Sequence, residues 1–258
     1  MSPPRSCGTV CPVHVYLIVA ATVWGIAGGL LLPRAAYRLA VEAGRPWTAD
    51  CPSGHPLPAG PRGWLGPARC ARCAAAGPGA EPYGMGYGAA LACALGCAAL
   101  GVAVGAHPEL VVWLLLMPVG VLLTRIDLLV FRLPDVLTLP ALAATGVLLG
   151  VAALLPGHDG SWLRALIAAA VLGLVYLLLF FVNPAGMGFG DVKLAPTLGF
   201  VLGWYGWPVV FTGTFAGFAL GAVAGIVLIA SRRANRKTAL PFGPFMLLGT
   251  LGALLFLA

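Results

Sequence analysis

Apolar positions fall along this chain in blocks long enough to cross a bilayer, which takes about 20 helical residues. Such blocks occupy roughly 13–33, 84–105, 109–125, 136–156 and 162–182. A continuous apolar run follows from Leu194 to Ala230, and a last block from Phe242 to Ala258. The long run exceeds one helix. Gly203-Trp-Tyr-Gly-Trp-Pro208 in its middle reads as a turn with aromatics at headgroup depth. Splitting it there predicts eight spans, one of them short. The first block lacks a small-residue cleavage site before Pro33-Arg34, so it reads as a retained span and not a signal peptide.

Between the first two blocks lies one sizeable polar segment, 34–83, rich in Pro, Gly and Arg and without helical or strand periodicity. About 50 residues cannot enclose a large core, so order in this loop needs a metal or the membrane surface. The chain therefore divides into an N-terminal tail with the first span (1–33), the Cys-containing loop (34–83), and a seven-helix membrane domain (84–258).

Composition supports this division. Hydrophobic residues make up 60% of the 258 residues and charged ones 9%, with mean hydropathy +0.96. Soluble chains carry roughly 25% charged residues, so a soluble enzyme is excluded, as is disorder. The predicted fold class is all-α, a polytopic membrane protein of about eight transmembrane helices.

Charge fixes the expected orientation. With eight alternating spans and both termini outside, 13 of the 15 basic residues fall on one side: Arg34, Arg38, Arg45, Arg62, Arg69, Arg72, Arg125, Arg132, Lys193, Arg232, Arg233, Arg236 and Lys237. Arg5 and Arg164 fall on the other. The positive-inside rule makes the crowded side cytoplasmic. Seven spans would translocate the Arg232–Lys237 cluster. The net charge of +7 is thus a topology signal, and no nucleic-acid partner is expected.

Acidic residues are scarce enough to be informative. Glu42, Asp50 and Glu81 fall in the polar loop, and Glu109 and Asp159 in short external turns, where none needs special explanation. Asp127, Asp135 and Asp191 stand instead at the cytoplasmic ends of apolar spans, where a carboxylate near hydrocarbon is a functional hypothesis by default. Two carboxylates brought together in a low-dielectric site share a proton. The ionised one can then activate water while the protonated one polarises a peptide carbonyl. Gly188 and Gly190 allow backbone to approach a substrate closely. The bland alternative pairs Asp127 with Arg125 or Arg132 and makes Asp191 a helix cap. Spacing does not decide between them.

The motifs around these residues resemble a known family. Gly186-Met-Gly-Phe-Gly-Asp-Val-Lys193 looks like the signature of the type IV prepilin peptidases, the bacterial branch of the GxGD aspartyl proteases. Ile126-Asp-Leu-Leu-Val-Phe-Arg-Leu-Pro-Asp-Val-Leu-Thr-Leu-Pro140 resembles the family's first-aspartate motif, and Leu240-Pro-Phe-Gly-Pro-Phe245 the motif that opens the last span. Gly29-Leu-Leu-Leu-Pro-Arg-Ala-Ala-Tyr-Arg-Leu39 is a looser match to the segment closing the first.

The resemblance implies that Asp127 and Asp191, 64 positions apart, are the catalytic pair. Asp135 then caps the next helix, and Lys193 either tunes or holds the carboxylates or anchors at the headgroups. It further implies a membrane endopeptidase that removes the leader of a prepilin or pseudopilin at the cytoplasmic face of the bacterial inner membrane. The peptidase needs no cofactor. Its partners are the prepilin substrate and the lipid bilayer. A channel or transporter using boundary carboxylates is the alternative.

Many members hold zinc in the first loop through two Cys-x-x-Cys pairs and carry an N-methyltransferase activity that uses S-adenosylmethionine. Here Cys70-Ala-Arg-Cys73 keeps the second pair, while Cys51-Pro-Ser-Gly54 has lost a cysteine and is followed by His55. Cys51, His55, Cys70 and Cys73 would form a Cys₃His zinc set; the opposing reading is free residues in a decaying domain. S-adenosylmethionine is expected only if methylation is retained. Cys7 and Cys11 stand outside the membrane, Cys93 and Cys97 read as small packing residues, and His14, His107 and His158 as solvated or capping.

Overall fold

The structure, a computed structural model, describes residues 12–42, 44–76, 83, 86–184, 186–232 and 240–258. Arg5, Cys7, Cys11, Glu81, Arg233, Arg236 and Lys237 lie outside the described residues. Within them the chain forms α1 (Pro12–Leu39), α2 (Pro61–Trp64), α3 (Ala71–Ala76), α4 (Gly88–Val104), α5 (Glu109–Val130), α6 (Asp135–Ala152), α7 (Trp162–Val182), α8 (Phe189–Tyr205), α9 (Trp207–Ala230) and α10 (Gly243–Leu257), with no strand. Among the described residues of the polar loop there is one bridge, Asp50 to Pro56.

The eight helices other than α2 and α3 are the expected spans. Five of them, α1, α5, α6, α7 and α9, are long and apolar enough to cross a membrane by length and composition. The chain is an all-α polytopic membrane protein. Three helix ends run beyond the hydrophobicity reading, while α4 starts at Gly88 and α6 ends at Ala152, inside theirs. Helix α1 continues past Pro33 to Leu39, α5 runs on to Val130, and α8 begins at Phe189, so polar residues extend apolar helices beyond the hydrocarbon blocks. The division of the long apolar run holds: α8 ends at Tyr205, and Gly206, at φ 143°, turns the chain into α9.

Without a hydrophobic drive between helices inside lipid, association depends on close packing of small residues. Glycines four apart supply it at three seams. Gly25 and Gly29 of α1 lie on the backbone of Cys93 and Ala90 of α4; Gly199 and Gly203 of α8 lie on Ala169 and Ala165 of α7; Gly213 and Gly217 of α9 meet Gly249 of α10. Cys93 and Cys97 are fully buried beside the first seam, as small packing residues should be. Helix α8 also packs against α6, α9 and α10, and most of its residues are buried.

Short connections make successive helices antiparallel. The ends of α5, α7 and α9 and the starts of α6, α8 and α10 therefore share one end of the bundle with the polar loop. Arg132 confirms the loop's placement there, donating from Nη1 to the Glu42 carbonyl at 3.3 Å. The last turns of α1 hold the loop down. Arg34 donates to the carbonyls of Arg62 and Leu65, and Arg38 donates to Gly63 at 3.2 Å while its guanidinium lies 4.3 Å from the Trp64 ring centre.

Candidate active site

Asp127 occupies the last turn of α5, which Phe131 terminates in the left-handed conformation (φ 52°) by donating its N–H to the Asp127 carbonyl. A carboxylate at a helix C-terminus opposes the helix dipole. The compensation comes from α10. Its first residue, Gly243, donates its backbone N–H to Asp127 Oδ2 at 3.0 Å, one of the donors a helix start leaves without an internal partner. Pro244 follows and has no N–H to satisfy. Among the described residues Asp127 makes no ion pair, and Arg125 and Arg132 do not reach it.

Asp191 occupies the third position of α8, after the cap residue Gly188, where the dipole favours a negative charge. Its Oδ2 lies 3.4 Å from where a Gly188 Cβ would stand. Both aspartates are thus placed at helix starts, Asp127 at that of α10 and Asp191 at that of α8. They are 4% and 5% exposed and within range of each other's charge.

Leu133 packs against the glycine beside each of them. A Cβ on Gly243 would stand 3.5 Å from Leu133 Cδ1, and one on Gly190 would stand 2.9 Å from Leu133 Cβ. The two glycines that flank the aspartates therefore close on the same buried leucine. Leu133 and Gly243 fall within the quoted motifs, but sequence alone assigns neither a role, since the contribution of each is space or a backbone N–H. An apolar cavity of about 500 Å³ begins one helical turn from each aspartate, with Thr124, Leu194 and Leu198 in its wall.

Two expectations are corrected here. Asp135 is not a cap: Pro134 holds the cap position of α6, Asp135 is the first helical residue, and it makes no capping hydrogen bond. It pairs instead with Lys193, Nζ to Oδ1 at 2.6 Å, and Lys193 Nζ also lies 4.8 Å from the centre of the Phe189 ring. Lys193 is therefore engaged with Asp135 and not with the two buried carboxylates. The pair ties the start of α6 to the first turn of α8.

The loop brings Cys51, His55, Cys70 and Cys73 together, with one donor atom from each lying within 4.8 Å of all the others. Cys51 Sγ is 3.7 Å from Cys73 Sγ, and His55 Nδ1 is 3.1 Å from Cys73 Sγ, 3.6 Å from Cys51 Sγ and 3.8 Å from Cys70 Sγ. A tetrahedral ion with bonds of about 2.3 Å to sulfur has donor–donor edges of roughly 3.7 Å. The donor set fits zinc. Gly54, at φ 78°, makes the turn that returns His55 toward Cys51, whose N–H donates to the His55 carbonyl at 2.8 Å. The Cys70 thiol is lowered to about 7, chiefly by a hydrogen bond from the Cys73 backbone.

At the opposite end, three residues dismissed as ordinary surface groups meet. His107 pairs with Asp159, and Glu109, expected in an external turn, is the first residue of α5 and fully buried. The α6–α7 turn folds over it, which local sequence does not reveal.

The fold and the paired carboxylates define a polytopic helical membrane protein with two buried aspartates at one end of the bundle. Residues 110–228 match the type IV leader peptidase family. The chain is 36% identical over 144 residues to a prepilin leader peptidase/N-methyltransferase of Aeromonas hydrophila, covering 55% of this chain and 48% of that protein. It is 36% identical over 141 residues to a protein of the same name from Burkholderia pseudomallei, covering 52% and 42%. A third, from Pseudomonas aeruginosa, is 33% identical over 125 residues, covering 48% and 42%. The chain spans about half the length of the curated relatives it matches. No solved structure matches it.

Proposed function

We propose that this protein is a membrane aspartyl endopeptidase that removes the leader of a prepilin or pseudopilin, with Asp127 and Asp191 as its catalytic pair. One observation carries the reading. Two carboxylates from separate motifs are sealed from solvent at one end of the bundle, neither neutralised by a cation among the described residues, with glycines flanking both. In such a pair one carboxylate stays ionised and takes a proton from water. The other is protonated and donates to the scissile carbonyl. The Gly243 N–H holds Asp127 in place, and the absence of side chains at Gly188 and Gly190 leaves room for substrate backbone.

The basic residues gather at the aspartate end, so that end faces the cytoplasm of the bacterial inner membrane. A substrate anchored in the same bilayer would present its cytoplasmic leader there. Zinc in the loop would be held by Cys51, His55, Cys70 and Cys73 and would order a segment too small to fold on apolar burial alone.

The test is co-expression with a prepilin followed by mass spectrometry of the pilin N-terminus. Loss of the leader is the expected result, and an intact leader would overturn the reading. The same spectrum reports N-methylation, for which S-adenosylmethionine would be the donor.

A further inference from the structure

We propose that His107, Glu109 and Asp159 form a binding site for a divalent cation at the end of the bundle opposite the aspartate pair. One nitrogen and two carboxylate oxygens from these residues lie within 4.8 Å of one another. The site joins two turns that are distant in sequence: His107 and Glu109 flank the start of α5, and Asp159 lies between α6 and α7.

The hydrogen bonds orient the set for a metal. His107 Nδ1 stands 2.7 Å from the Gly157 carbonyl, which can only accept, so Nδ1 carries the proton. Metal-bound histidines donate their other ring N–H to a carbonyl or carboxylate in this way. In the neutral ring Nε2 is then a lone pair, and it faces Asp159 Oδ2 at 3.2 Å. Two electron-rich atoms at that separation call for a cation, whether a proton or a metal.

Glu109 selects the metal. Its side chain is completely buried; Oε1 accepts the backbone N–H of Asp159 at 3.1 Å, while Oε2 is sealed from solvent with no donor among the described residues. A proton shared by His107 and Asp159 would leave Oε2 unsatisfied, and an unpaired buried carboxylate oxygen is costly. A divalent cation engages all three groups at once. One imidazole and two carboxylates suit Mn²⁺ or Zn²⁺, whereas the thiolate-rich loop at the other end favours Zn²⁺ over Mn²⁺. Bound there, the ion would staple the α4–α5 turn to the α6–α7 turn.

That difference in preference makes Mn²⁺ the probe. The purified full-length protein in detergent is titrated with Mn²⁺ after chelation, and the free aqueous ion is measured by electron paramagnetic resonance. The expected result is one Mn²⁺ bound per chain, retained in Cys70→Ser/Cys73→Ser and weakened at least tenfold in Glu109→Gln and Asp159→Asn. Asp159→Asn is the decisive variant. Its side chain is 62% exposed and the backbone N–H to Glu109 is untouched, so folding should survive even if Glu109→Gln fails to fold. No Mn²⁺ bound at millimolar concentration, unchanged binding in Asp159→Asn, or loss of binding in the cysteine variant would each overturn the proposal.

Discussion

The backbone N–H of Gly243 points at Oδ2 of Asp127, 3.0 Å away and 116 positions distant in sequence. A Cβ at Gly243 would stand 2.9 Å from that oxygen and 3.5 Å from Leu133 Cδ1. Gly243→Ala should therefore push the carboxylate from its place while leaving the helix intact. Displacement of a reacting group by about 1 Å costs on the order of 100-fold in rate. The expected outcome is a leader-cleavage rate reduced by that order, with normal thermal stability. Gly252→Ala, with nothing within 4 Å, is the control and should cleave normally.

The Lys193–Asp135 ion pair positions α8 against α6 and touches neither buried carboxylate. Its members are partly exposed, with side-chain exposures of 25% and 53%. Such pairs contribute about 1 kcal/mol or less. Lys193→Ala and Asp135→Ala should each slow cleavage by about fivefold or less, and the double variant should be no slower than the weaker single one, because both remove one contact. Complete loss in Asp135→Ala would assign that residue a direct part in the chemistry.

In the loop, zinc should protect particular thiols. After chelation at pH 7.5, Cys70 and Cys73 are expected to react with an alkylating agent within minutes, and added zinc should suppress the reaction. Cys93 and Cys97, fully buried in the α1–α4 seam, should stay unmodified in both states. Peptide mapping by mass spectrometry separates these four. Equal labelling of Cys70 and Cys73 with and without zinc would count against a metal in the loop.

Packing at the glycine seams makes a stability prediction. A Cβ on Gly199 would lie 2.5 Å from Ala169 Cα and 2.7 Å from the Ala168 carbonyl oxygen, with backbone that cannot move aside. Overpacking of this kind costs about 1–3 kcal/mol. Gly199→Ala should lower the thermal midpoint in detergent by several degrees, while Gly225→Ala, facing open space, should leave it unchanged.

Much of this organisation was legible in the sequence because lipid imposes a coarse code. Blocks of apolar residues announced the eight helices of the bundle, and the Gly206 turn could be read from its aromatics. Asp127 and Asp191 stood out because a carboxylate beside hydrocarbon needs a reason. Their surroundings were not legible. Gly243 acts through a backbone N–H and Leu133 through volume, and neither role leaves a mark on composition. Asp135 looked like a cap from its neighbours, but the cap position belongs to Pro134 and its partner Lys193 is 58 positions away. Glu109 read as an ordinary residue of a short external turn. Only the folding of the α6–α7 turn over α5 buries it. The glycine seams were hidden within a general richness in small residues.

The most direct measurement is leader cleavage by purified Asp127→Asn and Asp191→Asn, each replacing one carboxylate by a neutral group of the same shape. If water is activated by the two acids together, each variant should remain folded in detergent and release no detectable product, with a rate at least about 1,000-fold below that of the parent. Cleavage at the parental rate by either variant would contradict the account.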